Sequence, residues 1–120
     1  MDSRKISLFC LLLFSYHGFS QITQPLRVAI QAARQSHDVS LVGLQFLGKP
    51  YASHALSDQN PEELVVDLNA FDCVTFIENS LALLQSNGID SLYRKGLIHN
   101  RYAGDSIVYE KRYHYFSDAM

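Results

Sequence analysis

Helices at the front of the chain and strands toward its end, an α+β order, are what this sequence of 120 residues predicts. Three observations carry that prediction. Apolar residues recur at helical spacing through residues 23–47 and again through 71–86. The segment "LVVDLN" puts Leu64, Val66 and Leu68 on one face of a short strand or buried extended stretch. Finally, "RYAGDSIVYEKRYHYF" sets tyrosines and β-branched residues on both sides of a Gly104-Asp105 turn, the pattern of a hairpin.

The first twenty residues stand apart from this plan. Arg4 and Lys5 precede the apolar run "ISLFCLLLF", and the small-residue end "GFS" follows before Gln21, a signal-peptide layout. The run is far shorter than the ~18 residues a membrane-spanning helix needs. Residues 1–20 are therefore expected to be a cleavable leader that exports the chain to the periplasm or cell envelope, without stable membrane insertion, and residues 21–120 to form one small domain. Ten Lys and Arg against twelve Asp and Glu give a net charge of −2, and losing Arg4, Lys5 and Asp2 makes it more negative. No basic patch courts nucleic acid.

The first helix is predicted in "TQPLRVAIQAARQSH", with Thr23 near the cap, Pro25 in the first turn and Leu26, Ile30 and Ala33 facing inward. "DVSLVGLQFLG" predicts a second, through Val39, Val42 and Phe46, ended by Gly48. The polar, turn-rich "GKPYASHALSDQNPEE" is a surface loop. A third helix opens at Phe71 and Asp72, carries the stripe Val74, Ile77, Leu81 and Leu84, and stops at Asn87-Gly88. A fourth, with Asp90 as its cap candidate, runs through "SLYRKGLI", with Gly96 as its weak point.

Cysteine usage is the most informative count. Cys10 leaves with the leader, so Cys73 has no intramolecular partner in a compartment where thiols become disulfides. One account is a small buried hydrophobe. The other is chemical: with Asp72 as N-cap, Cys73 is the first helical residue, where unpaired N–H groups and the helix dipole favour a thiolate, opposed by the charge of Asp72. Its own backbone N–H is then placed to serve as half of an oxyanion hole. Cys73 lies about 100° round from Val74, toward a cleft rather than the stripe.

The segments "FLGKPY" and "FDCVTFIENSLAL", followed by a tyrosine-rich stretch ending in "HYFSD", resemble the bacterial N-acetylmuramoyl-L-alanine amidase-like family of NlpC-type papain-like cysteine hydrolases. The resemblance implies a papain-like α+β domain in which the cysteine helix packs on an antiparallel sheet. Here the chain would supply the helical half, residues 21–120, with only the start of the sheet. It also implies hydrolysis of amide bonds in peptidoglycan or muropeptides, without cofactor or metal. The spacing of histidines and cysteine forms no zinc pattern in any case.

By the same resemblance Cys73 is the nucleophile, and Tyr51 of LG-x-PY assists the oxyanion or merely packs its turn. His114 of HYFSD is the one internal candidate for general base, on a strand where it faces a cleft or packs at its edge. Glu78, Ser117 and Asp118 match motif positions and are expected to bind substrate, Glu78 alternatively to be structural. The family's base histidine is expected beyond HYFSD, which marks this chain as truncated before it. The rival is a peptidoglycan-binding remnant without catalysis; a redox thiol lacks a resolving cysteine.

Overall fold

The computed structural model describes residues 21–56 and 60–113. Four α-helices organise them: α1 (Gln24–Ser36), the single turn α2 (Ser40–Gly43), α3 (Cys73–Ser86) and α4 (Asp90–Arg101). None of these helices is long and apolar enough to cross a membrane. The predicted leader, residues 1–20, lies outside the described residues.

Helix α1 follows its sequence signals. Thr23 Oγ1 accepts the Leu26 N–H, proline enters in the first turn, and His37 closes the helix in the left-handed conformation at φ 54°. Leu26, Ala29, Ile30 and Ala33 are buried. The second helix is shorter than its pattern predicts: α2 gives way to a 3-10 turn, Leu44–Phe46, which still buries Val42 and Phe46 but leaves Val39 outside as the cap. Gly48 then takes φ +86°, a conformation L side chains rarely adopt, and turns the chain into Lys49-Pro50.

Helices α3 and α4 form the main antiparallel pair, and their contact corrects the predicted inner face of α3. Val74, Ile77, Leu81 and Leu84 are only half-buried. The fully buried residues are Thr75, Glu78, Asn79, Ser80, Ala82, Leu83 and Ser86, centred on the opposite side of the helix from that stripe. Its polar groups, Ser80 apart, are buried because they are paired. Asn79 donates to Thr75 O at 2.7 Å and accepts from the Tyr93 hydroxyl, while Glu78 pairs with Arg101. Gly96 lies against Ala82 of α3, where an added Cβ would stand 3.5 Å away, an ordinary contact. The predicted weak point of α4 is thus its contact point. Asp90 is the first residue of α4 rather than its cap, which is Ile89.

Long-range donors satisfy the C-terminal carbonyls of α3. Arg34 Nη1 donates to Leu84 O at 2.8 Å, and Arg27 Nη1 donates to Gly88 O, tying α1 to that end.

The predicted sheet is the main departure. The described residues are mostly helical and hold only two isolated bridges, Tyr51 with Phe71 in parallel and Tyr102 with Arg112 antiparallel. Residues 64–68 form no strand, and side chains bond their backbone where a neighbouring strand would. Gln21 donates to Val66 O at 2.8 Å and accepts from Leu68 N at 2.9 Å, while Arg101 Nη1 donates to Val65 O at 2.7 Å. Around Gly104, 3-10 turns at Ala103–Asp105 and Tyr109–Lys111 stand where the hairpin is predicted, with one antiparallel bridge between Tyr102 and Arg112, and residues 114–116 of its second strand lie outside the described residues.

One buried hydroxyl is out of place. Ser80 on α3 is 5% exposed and its Oγ finds no hydrogen-bond partner among the described residues. Ser80→Ala removes that unpaired group and improves helix propensity, so a stabilisation of about 1 kcal/mol is expected in denaturant unfolding. A loss of stability would mean that the hydroxyl is bonded after all.

Candidate active site

The site is built where two short segments meet the start of α3. Phe71 N donates to Pro50 O at 3.2 Å and Ala52 N donates to Phe71 O at 2.9 Å, so the chain at Tyr51 lies beside Phe71, two residues before Cys73. Beneath them Phe46, Phe71 and Phe76 form an aromatic trio with ring centroids 4.9 to 6.5 Å apart. This packing joins "FLGKPY" to "FDC" although about twenty residues of loop separate them in sequence.

The helix start is fixed by a reciprocal cap. Asp72 Oδ1 accepts from Thr75 N at 2.8 Å and from Thr75 Oγ1 at 2.9 Å; in return Asp72 N donates to Thr75 Oγ1 at 2.9 Å. Phe76 N bonds Asp72 O. The N–H groups of Cys73 and Val74 are left without an acceptor among the described residues, at the positive end of α3. Asp72→Ala should cost about 1–2 kcal/mol in thermal melting, and Asp72→Asn, which keeps the acceptor, much less. Equal losses would rule out the cap as the reason.

Cys73 is exposed and free. It stands about 180° round α3 from Ala82 but only about 20° from buried Ser80, so its exposure follows from its place at the open helix end. Tyr51 is brought to the same end of the helix by its backbone, but its side chain is 73% exposed. No hydrogen bond joins its hydroxyl to Cys73.

Glu78 lies elsewhere, in the interior. Its Oε2 accepts from Arg101 Nε at 2.9 Å, with side chains 7% and 1% exposed. Burial pushes its carboxyl above the usual carboxylate range, against the pull of Arg101. His114, Ser117 and Asp118 lie outside the described residues. Of the histidines before them, His99 is a solvated residue at the end of α4, with Nδ1 3.0 Å from Asp105. The Cys73 sulfur makes no hydrogen bond to an imidazole among the described residues.

Two polar groupings escape sequence reasoning. Arg101 ties α4 to both Glu78 and Val65 O. Glu62 Oε1 accepts from the Tyr102 hydroxyl at 2.8 Å and from Arg112 Nη1 at 2.9 Å, fastening the loop before α3 to the segment that leads into HYFSD. Burial and the Glu62 carboxylate raise the Tyr102 hydroxyl to about 12. A glutamate and arginine 23 residues apart, or 50, leave no local pattern to find.

Comparison with known proteins covers these same segments. Residues 41–120 match the N-acetylmuramoyl-L-alanine amidase-like (AmiA-like) family. Among solved structures, an N-acetylmuramoyl-L-alanine amidase from Bacteroides uniformis is 34% identical with a TM-score of 0.60, covering 64% of this chain and 34% of its own. A xylanase candidate from Bacteroides fragilis is 32% identical with a TM-score of 0.59, covering 64% and 35%. The chain thus spans about a third of the length of these structures. No curated protein matches it. With the LG-x-PY turn, the capped Cys73 helix and HYFSD all inside the matched region, the chain belongs to the N-acetylmuramoyl-L-alanine amidase-like family.

Proposed function

We propose that Cys73 is the nucleophile of a cell-wall amide hydrolase of the NlpC-type papain-like kind, acting on peptidoglycan or its fragments in the cell envelope, reached through the leader at residues 1–20. The observation that carries this reading is an exposed, unpaired thiol on the first residue of a capped helix, inside the segment that matches the family. An imidazole takes the thiol proton, and the sulfur attacks the amide carbonyl. The oxyanion meets the N–H of Cys73 and, after a swing of its exposed ring, the hydroxyl of Tyr51. The C–N bond breaks, the imidazole returns the proton to the leaving amine, and water hydrolyses the thioester to free acid and thiol. His114 is the candidate within this chain for that imidazole, and Ser117 and Asp118 are the candidates for substrate binding.

The test is covalent. Protein incubated with muropeptides and quenched in acid should show an adduct on Cys73 that hydroxylamine removes, as a thioester requires. Released peptide without any Cys73 adduct, in rapid-quench samples as well, would overturn the assignment.

A second reading is favoured by the lack of an imidazole bonded to Cys73 among the described residues: a domain that binds peptidoglycan without cutting it. It predicts muropeptide binding that is equal in the parent protein and in Cys73→Ser, with no amine released by either.

A further inference from the structure

A cavity of about 360 Å³ opens beside the start of α1, and the proposed reaction does not use it. Phe46 and Leu68, both buried, form its floor, with Lys49, Gln45, Asn69 and Thr23 around it. Lys49 is the one charged residue among the described residues that line it, and no carboxylate faces it there. The Gln21 amide is spent on Val66 O and Leu68 N, so it builds the wall. The side-chain amides of Gln45 and Asn69 remain to bind. In a chain of net charge −2, this is a cationic recess with a polar rim and an apolar base.

Its position relates it to the sulfur. Tyr51 and Phe71 pair in parallel, so Lys49 and Asn69 stand side by side two residues earlier on the two segments. The cavity lies at the beginning of this lane and Cys73 at its end. From Asn69 to Cys73 is four residues, a reach of at most about 14 Å. An extended peptide of three or four residues spans as much as that upper limit, so one with its amide at Cys73 is long enough to reach Lys49.

We infer that this cavity is the subsite for the acidic peptide portion of the substrate, with Lys49 holding a carboxylate and the amides of Gln45 and Asn69 engaging the peptide backbone. The inference rests on the amidase reading for its ligand class, since the peptides of peptidoglycan carry free carboxylates. Ion pairing with a lysine distinguishes such a peptide from its amidated form and from a neutral sugar.

Binding without turnover tests it. The full chain carrying Cys73→Ala is titrated calorimetrically with alanyl-γ-glutamyl-lysine, with the same tripeptide amidated at every carboxyl, and with the N-acetylglucosamine disaccharide. The free acid should bind about tenfold more tightly than the amide. Lys49→Met should erase that difference and Lys49→Arg should keep it. Equal affinity for acid and amide, an unchanged preference in Lys49→Met, or disaccharide binding that depends on Lys49 would overturn the inference. Because nothing is cleaved in this assay, an absence of Cys73 adducts counts against the hydrolase reading alone, and a loss of Lys49-dependent binding against the subsite alone.

Discussion

Serine in place of Cys73 is expected to leave stability within about 0.5 kcal/mol of the parent and to lower amide hydrolysis at least about 10³-fold. The first half follows from position. Cys73 is exposed and free, so exchanging sulfur for oxygen opens no cavity and strands no partner. The cap is untouched, because Asp72 and Thr75 bond each other rather than the residue between them. The second half follows from chemistry: a serine hydroxyl at the same place is a far weaker nucleophile without a strong adjacent base. Urea unfolding of both proteins, alongside chromatography of released peptide, reads both quantities. Hydrolysis retained within a few-fold would end the nucleophile assignment. A large loss of stability would return Cys73 to the role of a packing residue.

What the sequence made legible about this site is local. Thr23, Asp72 with Thr75, and Asn87-Gly88 act on N–H and C=O groups within four residues of themselves, so helix starts and stops can be read along the chain. The position of Cys73 at the start of α3 follows from the same rule. The face that α3 buries does not. Counting apolar residues selects Val74, Ile77 and Leu81, whereas the interior takes Glu78 and Asn79 because Arg101 and Tyr93, on another helix, satisfy them. The missing ladder along residues 64–68 has the same origin. Gln21 and Arg101 supply the hydrogen bonds that a β pattern assigns to a neighbouring strand, and no periodicity encodes a partner more than thirty residues away. The candidate residues near the end of the chain, His114, Ser117 and Asp118, rest on the family match.

Arg101→Ala is expected to be the most damaging single change to the fold, costing about 3–5 kcal/mol at pH 7. It leaves Glu78 buried without its counter-charge and Val65 O without its donor, and it detaches the end of α4 from both α3 and the extended segment. The cost should shrink as pH falls, and the sign follows from Glu78. Burial holds its folded-state carboxyl above the unfolded value of about 4.3, so its contribution to stability is fully present below that pH and is lost as pH rises through the folded value. Without Arg101 the carboxyl is pushed further up, so the variant escapes part of the penalty by taking a proton. Unfolding in urea at pH 5 and pH 7 should therefore show a smaller difference between parent and variant at pH 5. Combining Arg101→Met with Glu78→Leu removes both charges at once and should recover most of the loss, apart from roughly 1–2 kcal/mol for the orphaned carbonyl of Val65. A cost below about 1 kcal/mol at pH 7, or a double variant no more stable than Arg101→Ala, would show that the pair does not hold α3 and α4 together.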